Sequence, residues 1–334
     1  MIDTWLDRWD ERRARRSDAT KAPTEFALDA HLAFPDAGDG TSLAEFCALA
    51  DQATTDPAFF DPGEAAFEAQ WDDGWIRFPS SVLTDVEANN TVWGKVTAAR
   101  PRDHALVVLH HWNASSRNPQ LARVFAWQGI TVVEMAMPYH LERRRPDASH
   151  ADDMLSPNLG RTIQSMRQAV LDGRRLVRVL KNAGYERVSV LGMSLGSWVA
   201  GLMAAHDPAI GRAVLLLTGG SLADMVWTGR ATRHIRASLD GRIDLTDLRR
   251  AWGPLDLENA AGKLARPGLA LQVVLAERDT VVRPELSDRL VAKLKDVDAD
   301  LEVLRLNCGH YSLSLPPYIL RTGLSASRFL KRGL

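Results

Sequence analysis

The sequence predicts an α/β fold in which a mostly parallel central sheet carries helices on both faces, with a small helical cap. Short apolar runs alternate with helical patterns along most of the chain, which is typical of parallel strands joined by helices. A Gly-x-Ser-x-Gly pattern lies between one apolar run and the helical pattern after it. The chain has 334 residues, 46% hydrophobic and 25% charged, enough to bury one large core.

Eight segments are predicted as strands, near residues 75–84, 91–98, 105–109, 130–135, 188–191, 213–217, 269–276 and 301–306. The first of them are expected to form an antiparallel edge of the sheet. The longest predicted helix covers residues 159–183, because its apolar residues recur mostly at helical spacing.

Residues 221–262 interrupt this alternation with a polar, arginine-rich stretch that contains Trp227 and Trp252. We interpret the stretch as a small helical cap inserted into the α/β domain, which spans residues 75–334. An ordinary long connection is the alternative.

Residues 1–74 are predicted to form a helical extension packed on that domain. Ile2, Trp5, Leu6 and Trp9 share one face of a predicted helix, and an arginine-rich run follows at residues 12–16. Such a helix packs on its own protein, which is the interpretation we favour, or makes a peripheral contact with an anionic membrane.

The segment Gly192-Met193-Ser194-Leu195-Gly196 follows the apolar run 188–191 and precedes a run of small apolar residues. A strand that turns sharply into a helix holds its serine in a strained conformation with the hydroxyl clear of the sheet. The two glycines avoid the side-chain collisions of so tight a turn. Ser194 is therefore the candidate nucleophile, and a tight turn with only a packing role is the alternative.

A serine nucleophile needs a histidine base and an acid that orients it, and on such a sheet these follow in the order acid, then histidine. Of the histidines after Ser194, His206 lies near the far end of the predicted helix, about 18 Å away along its axis. His234 follows no strand and is expected to face solvent. His310 follows the alternating run 301–306 on a loop, so it is the candidate base.

The candidate acid is Asp279, which comes just after the apolar run 269–276. Side chains that follow the carboxyl end of a parallel strand point to where catalytic groups gather. Glu277 is nearer the strand and is expected to pair with an arginine. Asp224, after the preceding strand, is the reserve acid.

A third requirement is a pair of backbone N–H groups for the oxyanion that forms when serine attacks a carbonyl. One comes from the residue after the nucleophile, Leu195. The second is expected from the turn after strand 105–109, with Trp112 as the donor and His111 as the alternative. The adjacent residues His110 and His111 are poorly placed for one metal ion, since neighbours on an extended segment point to opposite faces, and no metal site is expected.

These segments resemble the α/β-hydrolase superfamily over roughly residues 75–332; the resemblance is carried by Gly192-Met193-Ser194-Leu195-Gly196, His110-His111-Trp112-Asn113, Glu277-Arg278-Asp279-Thr280-Val281-Val282 and Cys308-Gly309-His310. Within it, the chain is similar to the family of α/β-hydrolase domain-containing protein 18 in Met137-Pro138-Tyr139-His140 and Arg143-Arg144-Arg145-Pro146. The common His-Gly of the family's first turn is replaced here by His110-His111. The resemblance implies an α/β-hydrolase fold, and an insertion at the predicted cap is where such proteins commonly place a lid.

Arg143, Arg144 and Arg145 follow the strand 130–135, so they are candidate substrate-binding residues for an anionic acyl or phosphate-bearing substrate. His111 is a further candidate substrate-binding residue. A solvated basic turn is the alternative. Trp112, Trp198 and Trp227 are candidate apolar walls for an acyl group, or ordinary core residues.

Composition excludes several classes of function. A formal charge of −1 and a pI near 6.8 argue against a nucleic-acid partner. No apolar run reaches 18 residues, and the charged amino terminus lacks the apolar core of a secretion signal. With only Cys47 and Cys308, a reducing cytoplasm is expected. No phosphate loop or dinucleotide fingerprint is present, so no cofactor is expected.

The sequence thus predicts a serine hydrolase that acts on a small ester or acyl substrate through an acyl-serine, most simply a carboxylic-ester hydrolase. Peptidase or acyltransferase chemistry would use the same groups. The alternative from another class is a non-catalytic α/β-hydrolase scaffold that binds a ligand or a protein partner.

Overall fold

A computed structural model of the protein describes residues 2–18, 20–38 and 40–332. Its strands are β1 (Gln70–Asp72), β2 (Trp75–Pro79), β3 (Thr91–Thr97), β4 (His104–Leu109), β5 (Ile130–Met135), β6 (Arg187–Met193), β7 (Ile210–Leu216), β8 (Ala270–Ala276) and β9 (Asp300–Leu306). They form one sheet in the order β1-β2-β3-β5-β4-β6-β7-β8-β9.

The pairings from β5 through β4 and β6 to β9 are all parallel, whereas β1, β2 and β3 pair antiparallel and β3 joins β5 antiparallel. The predicted mostly parallel sheet with an antiparallel edge is therefore confirmed. Strand β2 is shorter than predicted and ends at Pro79, because Ser80 turns away to donate its hydroxyl to the Asp172 carboxylate at 2.8 Å.

The helices are α1 (Ile2–Asp18), α2 (Ala30–Ala33), α3 (Leu43–Thr55), α4 (Pro119–Trp127), α5 (Leu159–Asn182), α6 (Leu195–His206), α7 (Leu222–Thr228), α8 (Arg233–Leu239), α9 (Leu245–Ala251), α10 (Ala261–Leu264), α11 (Pro284–Asp296) and α12 (Tyr318–Leu330). The predicted helix 159–183 matches α5. Its first turn is capped by the Asn158 side chain, which accepts a hydrogen bond from the Arg161 N–H at 2.9 Å.

The core has one apolar layer on each face of the sheet. Helices α4 and α12 cover one face, where Phe125 and Phe329 are buried. Helices α5, α6 and α11 cover the other, with Trp198 among the buried side chains. Every residue of β4 and β8 is buried, as expected for strands covered on both faces. This arrangement fixes the carboxyl ends of β4, β6 and β8, which carry the candidate site.

Residues 1–74, the predicted helical extension, also contain a strand. Strand β1 lies inside it and pairs with β2 across a two-residue turn, with Asp72 opposite Trp75. Asp73 and Gly74 both have positive φ, 42° and 73°, as a type I′ hairpin turn requires. The Asp-Gly dipeptide was the local signal for this hairpin.

Helix α1 packs on its own protein, against the 3-10 turns at residues 230–232 and 312–314. Its inward face carries Leu6, Asp10 and Ala14, spaced four residues apart, all buried. Trp5, predicted on the apolar face, is 51% exposed. The side chain of Ile2 lies outside the described part of the chain.

The segment predicted as a cap contains α7, α8 and α9. Helix α9 packs against α7 and against α3 of the extension. Trp252, after α9, is buried, whereas Trp227 is half-buried under the guanidinium of Arg236, which lies 5.0 Å from the centre of its ring.

Candidate active site

Ser194 lies in the turn between β6 and α6 with φ 53° and ψ −124°, a backbone conformation that L-residues rarely adopt. Its N–H donates to the Leu216 carbonyl at 2.9 Å, which ties the turn to the neighbouring strand. A Cβ on Gly192 would collide with the carbonyl of Gly196, and one on Gly196 would collide with the carbonyl of His110. Both glycines are therefore required by close backbone approach, and the serine hydroxyl is held at the carboxyl edge of the sheet.

Ser194, His310 and Asp279 form a hydrogen-bonded chain. The distance from His310 Nε2 to Ser194 Oγ is 3.1 Å, and that from His310 Nδ1 to Asp279 Oδ2 is 2.7 Å. The other oxygen, Asp279 Oδ1, accepts the N–H groups of Val281 at 2.7 Å and Val282 at 2.9 Å. Ser194 is 9% exposed and Asp279 5%. Because a carboxylate only accepts, Nδ1 carries the proton and Nε2 is left to accept from the serine.

The other candidates lie elsewhere. His206 ends α6, and His234 is half-buried rather than solvent-facing, with its ring stacked parallel to that of Trp112 at 5.9 Å. Asp224, the reserve acid, accepts hydrogen bonds from Arg249 at 2.7 Å and from Arg289. These two ion pairs hold the Asp224 carboxylate in the cap segment, so it does not bond to His310.

The turn after β4 lies beside the nucleophile turn, because Leu109 pairs with Gly192 in the parallel ladder. The amide of Leu195 is the first N–H of α6, where no intrahelical acceptor exists. The Trp112 indole donates to the Ala151 carbonyl at 3.0 Å, which holds the Trp112 ring in place. Desolvation and the nearby His310 lower the pKa of His111, so this side chain borders the site. The choice between Trp112 and His111 as second oxyanion donor stays a prediction.

His110 and His140 hold this turn in shape, a role that sequence reasoning missed. His140 Nε2 accepts the Asn113 N–H at 2.9 Å, while its Nδ1 lies 2.8 Å from the Pro138 carbonyl. His110 Nε2 accepts the Met137 N–H at 3.1 Å, and its Nδ1 lies 2.9 Å from the His111 carbonyl. Each ring must therefore be neutral with its proton on Nδ1. Their rings contact each other at a centroid distance of 4.6 Å.

We expect the protein to lose stability on mild acidification. Burial lowers the pKa of His140 and of His104 from the usual 6.5 to about 4. Between pH 6.5 and 4 these two histidines are protonated in the unfolded chain but stay neutral in the folded protein. The free energy of unfolding therefore falls as the pH falls. Each histidine contributes up to about 1.4 kcal/mol per pH unit in that window, and nothing above it.

Urea unfolding at pH 7 and at pH 5 measures this loss. His140→Gln keeps an acceptor for the Asn113 N–H without titrating in this range, so this variant should lose less stability between the two pH values than the wild type. The exposed His31→Gln is the matched control and should behave as the wild type. Equal losses in the wild type and His140→Gln would contradict the expected burial effect.

The interpretation of Arg143 as a substrate-binding residue is wrong. Its side chain is 0% exposed and pairs with the equally buried Asp172 at 2.8 Å. The guanidinium also donates to the Asn89 carbonyl, from Nε at 3.1 Å and from Nη2 at 2.7 Å. Three consecutive arginines suggest solvent exposure. Arg143 is buried instead because it pairs with the Asp172 carboxylate on α5, and this ion pair holds the segment after β5 in place.

The other two arginines also have no hydrogen bond to Ser194, Asp279 or His310. Arg145 pairs with Asp85 at 2.9 Å and with Asp153 at 3.1 Å, so its charge is balanced locally. Arg144 lines a surface cavity of about 520 Å³ beside the antiparallel edge, together with Trp75, Lys95, Ser115, Ser116, Arg117, Leu141 and Glu142. A role for Arg144 or Arg145 in substrate binding remains a prediction.

We expect Arg143→Met to lower the free energy of unfolding by about 3–5 kcal/mol, because it leaves a buried carboxylate uncompensated. The matched control is Arg145→Met, whose partly exposed pairs are worth about 1 kcal/mol or less. Urea denaturation of the two variants makes the comparison. A loss below about 1 kcal/mol for Arg143→Met would contradict a structural role for this ion pair.

Three further features bear on function in the part of the chain that the structure describes: metal ligands, a reactive thiol and membrane-spanning helices. No group of three or more histidine, cysteine, aspartate or glutamate residues there could hold a metal ion. Burial raises the pKa of the Cys308 thiol to about 12, so this cysteine stays protonated and unreactive. None of the described helices is long and apolar enough to cross a bilayer.

No protein-family model matches the sequence, and no curated protein matches it. Solved structures do resemble the fold. An acylaminoacyl peptidase from Pyrococcus horikoshii aligns with a TM-score of 0.62 at 12% identity over 81% of this chain and 42% of its own. An esterase from Pyrococcus furiosus aligns with a TM-score of 0.54 at 15% identity over 81% of this chain and 97% of its own.

An α/β-hydrolase from Penicillium sp. sh18 also aligns, with a TM-score of 0.54 at 16% identity over 72% of this chain and 94% of its own. The chain therefore has the α/β-hydrolase fold, as the sequence resemblance implied. It spans about two fifths of the length of the peptidase. At these identities the likeness concerns the fold alone, and function must be argued from the site.

Proposed function

We propose that this α/β-hydrolase-fold protein is a serine hydrolase that cleaves carboxylic esters through an acyl-serine intermediate. The observation that carries the proposal is the hydrogen-bonded chain from Ser194 Oγ through His310 to Asp279, with distances of 3.1 Å and 2.7 Å. A packing role alone does not require a serine in strained backbone geometry next to an oriented imidazole.

In the first half of the reaction, His310 Nε2 takes the proton of the Ser194 hydroxyl as its oxygen attacks the acyl carbonyl. Asp279 keeps the imidazole proton on Nδ1 and stabilises the imidazolium that forms. The imidazolium then gives its Nε2 proton to the leaving alkoxide, and the alcohol departs. The acyl group remains on Ser194 as an ester.

The oxyanion of each tetrahedral intermediate is assigned to the N–H of Leu195 and to a second N–H from Trp112 or His111. Donors of this kind are fixed before the reaction begins, so they stabilise developing charge without reorganising. His140 and His110 accept hydrogen bonds from the backbone N–H groups of Asn113 and Met137, which hold the turn after β4, and with it the second donor, in place. In the second half of the reaction, His310 activates a water molecule, which releases the acid and restores Ser194.

We also propose that the chain belongs to the α/β-hydrolase domain-containing protein 18 family. The segment 137–146 supports this assignment, and Arg143 holds that segment on the protein through its ion pair with Asp172. Both cysteines are buried free thiols, which supports the expected cytoplasmic location.

A pair of matched substrates tests the proposed reaction. We expect p-nitrophenyl butyrate to be hydrolysed with an initial burst of nitrophenol under conditions of slow deacylation, and the butyryl p-nitroanilide to be hydrolysed far more slowly. Preferential cleavage of the anilide would instead indicate an amidase or peptidase. Absence of turnover and of acyl-enzyme with both substrates would favour the non-catalytic scaffold.

A further inference from the structure

Helix α1 docks on the rim of the candidate active site through three acidic residues spaced along it. Asp7 accepts a hydrogen bond from Arg278 Nε at 2.8 Å, and Arg278 directly precedes the candidate acid. Glu11 pairs with Arg230 of the cap segment at 2.8 Å. Between these exposed or half-exposed contacts lies Asp10, which is only 6% exposed. The amino-terminal helix thus contacts the loops that surround the site.

The Asp10 carboxylate binds the backbone of the loop that carries His310. Its Oδ1 accepts the N–H of Tyr311 at 2.7 Å and that of Ser312 at 3.1 Å. Its Oδ2 is buried and has no hydrogen-bond partner among the described residues. A Cβ on Gly309 would lie 2.5 Å from this oxygen, so the carboxylate can approach only because residue 309 is glycine. Both hydrogen bonds therefore hold the backbone directly after His310, and the close approach to Gly309 lies directly before it.

The loop is also tied on its amino-terminal side and within itself. The Arg278 N–H donates to the Cys308 carbonyl at 2.9 Å, and the Gly309 N–H donates to Ser312 Oγ at 2.8 Å. Asp10 connects the residues directly after His310 to helix α1. A charge-assisted pair of hydrogen bonds to a buried carboxylate is stronger than neutral ones. Catalytic groups must be held within about 0.5 Å of their productive positions, so the hydrogen bonds to Asp10 affect the placement of the His310 ring.

We infer that Asp10 is a positioning residue of the active site: it fixes the backbone after His310 and so keeps the imidazole between Ser194 and Asp279. The inference rests on the proposed function. Helix α1 then contributes to the active site, although it lies about 300 residues away in sequence from the loop that it holds.

The first test compares ester hydrolysis by Asp10→Ala, Asp10→Asn and the control Asp7→Ala, which removes a more exposed ion pair of the same helix. We expect Asp10→Ala to lower kcat by about 10²-fold with little change in KM, because displacement of a catalytic group by about 1 Å has that effect. Asp10→Asn keeps an oxygen that can accept the two N–H groups, so it should recover part of the activity. Asp7→Ala should match the wild type. Equal kcat values for Asp10→Ala and Asp7→Ala would overturn the inference.

A second readout does not depend on turnover. The His310 Nδ1 proton, shared with Asp279, should give a low-field NMR signal in the wild type that broadens or disappears in Asp10→Ala and persists in Asp7→Ala. If the wild type lacks ester turnover, the proposed function fails while this signal still decides the role of Asp10. A signal unchanged in Asp10→Ala would overturn it. Gly309→Ala pushes the same carboxylate away and should reproduce the loss of signal if Asp10→Ala does not fold.

Discussion

Ser194→Ala is expected to lower kcat for ester hydrolysis by about 10⁶-fold, the loss found when the nucleophile of a serine triad is removed. Alanine offers no oxygen to attack the carbonyl, so the acyl-serine cannot form. The variant should fold, because alanine keeps the N–H that bonds to the Leu216 carbonyl at 2.9 Å. Steady-state kinetics with a p-nitrophenyl ester and thermal unfolding measure the two properties.

The matched control is Ser189→Ala, on the same strand as the nucleophile turn but towards its other end. Ser189 Oγ lies 2.9 Å from His104 Nε2, so this variant should lose some stability and keep its kcat. Comparable kcat values for Ser194→Ala and the wild type would show that the hydrolysis does not pass through Ser194.

Asp279→Asn is expected to lower kcat by about 10⁴-fold. The reason lies in the two N–H groups of Val281 and Val282, at 2.7 Å and 2.9 Å from Oδ1. These donors will hold the amide oxygen of the asparagine at the Oδ1 position, which turns its NH2 group towards His310 Nδ1. The imidazole must then carry its proton on Nε2, where it cannot accept the serine proton.

Two variants control for this change in charge. Glu277→Gln alters an exposed carboxylate two residues away and should leave kcat unchanged. Asp224→Asn weakens the ion pairs with Arg249 and Arg289 and should affect stability rather than kcat. A large loss of kcat in Asp224→Asn together with a mild one in Asp279→Asn would place the acid after β7 and contradict the assignment.

The parts of the site that could be predicted from sequence are those with a local signal. Ser194 lies in a strand-to-helix turn bounded by glycines, and Asp279 and His310 directly follow strands with clear apolar patterns. Parallel strands end at one edge of the sheet, so local patterns and chain order were enough to nominate three residues that the structure brings together.

The parts that could not be predicted depend on contacts between distant segments. Arg143 is one of three consecutive arginines, and it is distinguished by its buried ion pair with the Asp172 carboxylate on α5, which no local pattern reveals. Asp10 lies 301 residues before Tyr311, whose N–H it accepts, and no periodicity links them. Strand β1 has three residues, too few for an alternating pattern, although its Asp-Gly turn was visible.

Covalent labelling by a fluorophosphonate probe tests the central claim most directly, because the probe reacts with a serine that a neighbouring base activates and needs no knowledge of the natural substrate. We expect one equivalent of probe per chain, located on Ser194 by mass spectrometry of the digested protein. Labelling should be absent in Ser194→Ala and slowed in His310→Ala. An intact wild-type protein that does not react, or that is labelled at a residue other than Ser194, would contradict the claim that this chain is a serine hydrolase acting through Ser194.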